Sequence, residues 1–115
     1  MRLVKIYALL NPIDNNVFYV GATSSELKVR LSAHCSPYCY IDTRPTFGKK
    51  KADYIFNLKE YNKAPEIILL EEVNFEDVDR TEEFYYYLFK SYGFTLIQDS
   101  KSFNYTKSRR NIYYN

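Results

Sequence analysis

Two β-rich runs, LVKIYALL (3–10) and VFYVG (17–21), flank the hexapeptide NPIDNN, and no other feature constrains the fold as much. Pro, Asp and Asn favour a turn, so the two runs are expected to form an antiparallel hairpin. Side chains alternate between the faces of a strand. Val4, Ile6, Ala8 and Leu10 therefore point one way and Lys5, Tyr7 and Leu9 the other. On the second run, Phe18 and Val20 oppose Val17, Tyr19 and Gly21. One hairpin face is purely apolar, and the other carries Lys5, Tyr7 and Tyr19.

The rest of the chain supplies helices and one more strand. TSSE (23–26) reads as a capping box, with Thr23 as N-cap and Glu26 three residues on, opening a helix over 24–35 that Pro37 bounds. Segment 36–48 has no clear period and is long for a connection, which suggests a functional loop or lid. A second helix is expected over 50–61. PEIILLEEV (65–73) is a continuous apolar run and predicts a buried third strand. NFEDVDRTEEFYYYLFKSYG (74–93) predicts a third helix, with Asn74 as N-cap and Gly93 as its stop. A short strand is expected near 95–97. The order gives an α/β chain of the α+β kind: a small central three-stranded antiparallel sheet flanked by helices. Residues 1–98 are expected to form the domain and 99–115 a basic, tyrosine-bearing tail.

Composition narrows the function classes. At 115 residues, 46% hydrophobic and 26% charged, the chain has the make-up of a single globular domain rather than of a disordered segment. A formal charge of +2 does not by itself mark a nucleic-acid binder, so a basic footprint has to come from local clusters. No apolar run approaches the roughly 18 residues of a membrane span, and the start lacks the pattern of a secretory signal. An intracellular protein is expected, cytoplasmic or, in a eukaryote, nuclear, with no membrane partner. Cys35, Cys39 and His34 lack the fourth ligand that zinc requires, and the cysteines are read as two thiols.

Helical phase singles out three polar residues. At about 100° per residue, Val78, Tyr85 and Phe89 share a stripe and Glu82 lies inside it, whereas Glu83 points away. A carboxylate so placed needs a cation, a metal ion or several donors. Arg30 and His34, spaced i and i+4, lie alongside Leu27 and Leu31. If the first and third helices both pack on the polar hairpin face, Tyr7, Tyr19, Arg30, His34 and Glu82 converge. Such a cluster could equally be an internal network in which Arg30 pairs with Glu82 and the tyrosine hydroxyls are hydrogen-bonded.

The order KIY (5–7), YVG (19–21), RLSAH (30–34), a later helical Glu and FKSYG (89–93) resembles the GIY-YIG nuclease family across nearly the whole chain. The resemblance implies a small antiparallel sheet flanked by helices and metal-assisted hydrolysis of DNA phosphodiester bonds, with Mg²⁺ or Mn²⁺ as cofactor. It makes Tyr7, Tyr19, Arg30, His34 and Glu82 the expected catalytic residues and Glu82 the metal ligand. In these terms Tyr7 activates the water with help from Lys5 or His34, since the reference pKa of tyrosine is about 10. Tyr19 orients water or phosphate, Arg30 offers a planar set of donors to the phosphate oxygens, and Gly21 lets the backbone approach the site wall. Lys5 stands where the first motif has its name-giving glycine, and Val20 where the second has isoleucine. Gln98 is the expected substitute for a late asparagine.

Recognition is expected to be weak in sequence terms. Lys49, Lys50 and Lys51 in GKKK, and Lys107, Arg109 and Arg110 in TKSRR, are candidate phosphate contacts. The tail tyrosines are candidate stacking platforms. DNA is the expected partner, with RNA left open, and a partner protein or a dimer is the expected source of any specificity. The alternative is a module on the same fold that binds nucleic acid or protein without cutting.

Overall fold

The computed structural model describes residues 3–36 and 48–98, the side chain of Lys49 excepted. β1 (Leu3–Leu10) and β2 (Val17–Thr23) form the antiparallel hairpin, and β3 (Glu66–Asn74) pairs antiparallel with the other side of β1. The order β2-β1-β3 makes β1 the central strand, in keeping with the complete burial of Val4 and of Ile6 to Leu9. The hairpin loop is stitched by its own polar residues. Ile13 N donates to Asn11 Oδ1 (2.8 Å) and Asn16 N to Asp14 Oδ1 (2.9 Å), while Asn15 takes a positive φ of 59°.

β3 differs from expectation. It is an edge strand, and Ile68 and Leu69 are 39% and 48% exposed, so the apolar run does not mark a strand covered on both faces. Both pairings also slip by one residue. Leu9 faces Tyr19 but Leu10 faces Val17, leaving Phe18 as the extra residue, and Ile6 faces Glu71 but Tyr7 faces Leu69, leaving Leu70 as the extra one. Such bulges re-aim side chains. Phe18 packs on the same side as Tyr7 and Tyr19, stacked on Tyr54 at 4.1 Å between centroids, contrary to simple alternation.

The first helix, α1 (Leu27–Cys35), starts three residues later than the capping box implies, with Glu26 rather than Thr23 at its N-cap. Thr23 instead ends β2, and its hydroxyl accepts a bond from Ser25 N at 3.0 Å, which shapes the turn into the helix. α2 spans Gly48–Lys59. A 3₁₀ turn over Phe75–Asp77 follows β3 and leads into α3 (Val78–Ser91). Asn74 caps the 3₁₀ turn in position but without a side-chain bond, so it does not cap α3 itself. α3 ends at Gly93 (φ +90°), where Gly93 N bonds Lys90 O and Phe94 N bonds Phe89 O. This pair of bonds, with Phe94 packed edge-on against Phe89 at 5.9 Å, is a Schellman stop.

The helices take opposite faces of the sheet. α3 brings Val78, Tyr85 and Phe89 onto the apolar face formed by Val4, Ile6, Val20 and Ala22. α1 and α2 bring Leu27, Leu31 and Ile55 onto the face that carries Tyr7, Leu9 and Tyr19. α1 and α3 therefore do not share the polar hairpin face. The physical reason is that the purely apolar face also has to be covered, and α3 carries the apolar stripe that covers it.

After the Schellman stop the chain returns along the outer edge of β2. Thr95 N and O bond the side chain of Asn16 (3.0 and 3.1 Å), Ile97 N bonds Phe18 O (2.9 Å), and Gln98 bonds both backbone groups of Val20. No regular strand forms over 95–97, yet the segment serves the edge as one would. The expected lid over 36–48, Cys39 and the tail 99–115 lie outside the described residues, apart from Ser36 and Gly48. Cys35 is in no disulfide. Among the described residues no helix is long and apolar enough to cross a membrane.

Candidate active site

The centre of the site is the Tyr7 hydroxyl. It lies 2.6 Å from His34 Nε2 and receives a bond from Arg30 Nε at 3.1 Å. Tyr7 is wholly buried on the central strand, where it faces Gly21 on β2 and Leu69 on β3. Arg30 and His34 are one turn apart on α1, and Leu27 and Leu31 seat that helix on the polar face. His34 is the one residue of α1 that is fully covered, at 2% exposure. A helix whose single buried residue is an imidazole on a phenol has placed it for more than apolar packing.

Tyr19 completes the cluster. Its ring lies 6.3 Å from Tyr7 and meets His34 edge-on at 5.4 Å between centroids. Lys51 Nζ sits 5.0 Å from the centre of the Tyr19 ring, within the reach of a cation–π contact. Lys51 is only 2% exposed, so it is an interior residue rather than a member of a basic surface. Lys50, the residue before it, is exposed. The cluster GKKK is thus divided by helical phase: adjacent residues point about 100° apart.

Gly21 is required by space. A Cβ at this position would lie 2.5 Å from the Tyr7 hydroxyl oxygen, 2.6 Å from Tyr7 Cζ and 2.8 Å from Tyr19 Cε2. The glycine gives the Tyr7 ring room to lie across β2, and β2 continues through it to Thr23, so it does not end the strand. Gln98 holds the same strand from outside. Val20 N donates to Gln98 Oε1 at 2.7 Å and Gln98 Nε2 donates to Val20 O at 2.8 Å. Val20 is the residue between Tyr19 and Gly21, so this amide fixes the backbone that carries both. Lys5 is partly exposed and lies in register with Thr23 and Glu72.

Glu82 is placed on α3. It is completely buried, one turn from Val78 and one turn from Tyr86, which are 2% exposed each, while Glu83 is exposed as helical phase expects. The described contacts join Tyr7, Tyr19, Arg30, His34 and Lys51 into one group, and Glu82 approaches the interior from the helix that covers the apolar face. Lys107, Arg109 and Arg110 lie outside the described residues, as does the Lys49 side chain. Reading the sequence missed the burial of Lys51, for which the apolar spacing of Ala52, Ile55 and Leu58 is the available signal.

Comparison of the chain with family models, with curated proteins and with solved structures gives no match.

Chemically, the group around Tyr7 can move a proton and steady a negative charge. The contact with Nε2 is a route along which a proton can pass between phenol and imidazole, and Arg30 Nε donates to the same oxygen. Among the described residues no cluster of three or more His, Cys, Asp or Glu is present, so a metal ion here would rest on one carboxylate, water and substrate oxygens. Mg²⁺ is bound in that manner, by one or two carboxylates with retained waters and phosphates. Glu82, the completely buried carboxylate of α3, is the residue that would supply that ligand.

Proposed function

We propose that this protein is a metal-dependent endonuclease of the GIY-YIG kind, hydrolysing DNA phosphodiester bonds with low intrinsic sequence specificity. The observation that carries the reading is the Tyr7 hydroxyl held between His34 Nε2 at 2.6 Å and Arg30 Nε at 3.1 Å. These are the residues that the resemblance assigns as catalytic tyrosine, arginine and histidine, and the antiparallel sheet with helices on both faces is compatible with it.

In this reading Tyr7, relieved of its proton by His34, takes one from the attacking water. Arg30 bonds the phenolic oxygen and presents its remaining guanidinium donors to the non-bridging phosphate oxygens. Tyr19, its ring 6.3 Å from that of Tyr7, orients water or phosphate, with Lys51 against its ring. Glu82 would hold the Mg²⁺ or Mn²⁺, which supplies Lewis-acid stabilisation of charge on the phosphate and the leaving oxygen.

A second reading, a module that binds without cutting, draws on the depth of the group: Tyr7 and Glu82 are both 0% exposed. Nicking of supercoiled plasmid with Mg²⁺ or Mn²⁺ separates the two. The nuclease reading expects nicks that vanish with EDTA and in a Glu82→Gln protein of unchanged melting temperature. A wild type that binds DNA yet leaves the plasmid intact under every metal supports the second.

A further inference from the structure

A hollow of about 430 Å³ opens between α2, α3 and the segment that returns along β2. Its rim carries Lys50 from α2 and Lys90 from α3, and its wall is formed by Tyr86 and by the returning segment from Phe94 to Gln98. Both lysines are exposed, and among the described residues neither forms an ion pair. No acidic side chain lines the hollow among those residues. Two helices thus converge two cations on one opening in a chain whose formal charge is only +2.

We propose that this hollow is a nucleotide subsite, in which Lys50 and Lys90 hold a backbone phosphate neighbouring the scissile one and Phe94 supports its base. The proposal deepens the nuclease reading and rests on it for the direction of the strand. Lys90 Nζ donates to the Tyr86 hydroxyl at 3.5 Å and lies 5.5 Å from the centre of its ring, which holds the ammonium at the rim of the hollow. Phe94 is half-buried, its ring braced edge-on against Phe89 at 5.9 Å, which leaves it a fixed apolar surface for a base. The volume lies in the range of small-ligand sites, about 300–1,000 Å³.

The hollow and the Tyr7 group are linked through β2 and α2. Gln98 lines the hollow and brackets Val20 between Tyr19 and Gly21. From the other direction, Lys50 reaches the rim while Lys51 packs on Tyr19. The strand that carries Tyr19 and Gly21 is thus tied to the hollow through Gln98, and α2 serves both through successive lysines. Phosphate contacts of this kind hold the strand in register without reading its sequence.

The test is amide NMR of the full chain titrated with thymidine bisphosphate in the absence of metal, with inorganic phosphate as the second arm. Saturable shifts at Lys50, Lys90 and Phe94 to Gln98 are expected. In the Lys50→Gln, Lys90→Gln double variant, affinity is expected to fall about tenfold or more, because two charge-assisted contacts are lost. Both side chains are exposed, so the variant is expected to fold as the wild type does. Shifts confined to other regions, unchanged affinity in the double variant, or equal affinity for inorganic phosphate would each overturn the subsite. The titration needs no turnover, so an inert wild type in the plasmid assay counts against the nuclease reading and not against the subsite.

Discussion

Tyr7 and Gly21 are directly opposed on β1 and β2, and a single added Cβ on the glycine would come within 2.5 Å of the tyrosine hydroxyl oxygen. Gly21→Ala is therefore expected to destabilise the fold by about 1–3 kcal/mol, the usual cost of overpacking a core. Combining it with Tyr7→Val, which removes the two nearest contacts and leaves the one to Tyr19 Cε2 at 2.8 Å, should make the two effects non-additive. A double-mutant cycle by urea denaturation measures this, and simple additivity would remove the steric account.

Tyr7→Phe keeps the ring over Gly21 and deletes only the oxygen that His34 and Arg30 share. Nicking is expected to fall by about 10²–10⁴, the usual contribution of a positioned proton-transfer group. The melting temperature checks that the fold persists, and a phenylalanine variant that cuts at the wild-type rate would take Tyr7 out of the chemistry.

Gln98 spans both backbone groups of Val20, a reach that asparagine, one methylene shorter, cannot match from the same backbone. Gln98→Asn should cost about 1–3 kcal/mol by leaving buried amide groups unsatisfied. Hydrogen exchange at Val20 is the direct readout: faster exchange there is expected, and an unchanged rate would show that another group holds the edge.

One alkaline limb of stability can be assigned in sign. The Tyr85 hydroxyl donates to Glu71 Oε1 at 2.9 Å, and burial, then that bond and the carboxylate charge, hold the phenol above its usual range. A neutral Tyr85 therefore contributes stability in full below the unfolded value, about pH 10. This contribution is lost as pH rises through the higher folded value. Tyr85→Phe is expected to flatten the fall of melting temperature above pH 10, and parallel curves for the two proteins would sink the assignment.

The hairpin, the shared face of Tyr7 and Tyr19, and the burial of Glu82 were legible because period-two and 100° patterns depend on local geometry alone. The edge position of β3 was not, since an apolar run reads the same whether the strand is covered by neighbours or left at the rim. Phe18 defeated alternation because a bulge depends on the partner strand. Lys51 was read by charge, whereas its place on α2 put it inside. The face taken by α3 is a tertiary choice: it covers the sheet surface opposite the one on which α1 and α2 pack.

The return of residues 95–98 along β2 also gives the sheet a closed side and an open one. On the closed side, Ile97 N bonds Phe18 O and Gln98 bonds both backbone groups of Val20, while the side chain of Asn16, just before β2, holds Thr95. Among the described residues the open side is β3, whose outer row faces no strand. Any foreign strand that extends this sheet must dock there, beside Glu66, Glu71 and Glu72. An identical copy paired antiparallel about Leu69 would set Glu66 against Glu72, a like-charge pairing that sheets disfavour. The molecule therefore resists growing into ribbons by one edge through self-satisfaction and by the other through repulsion.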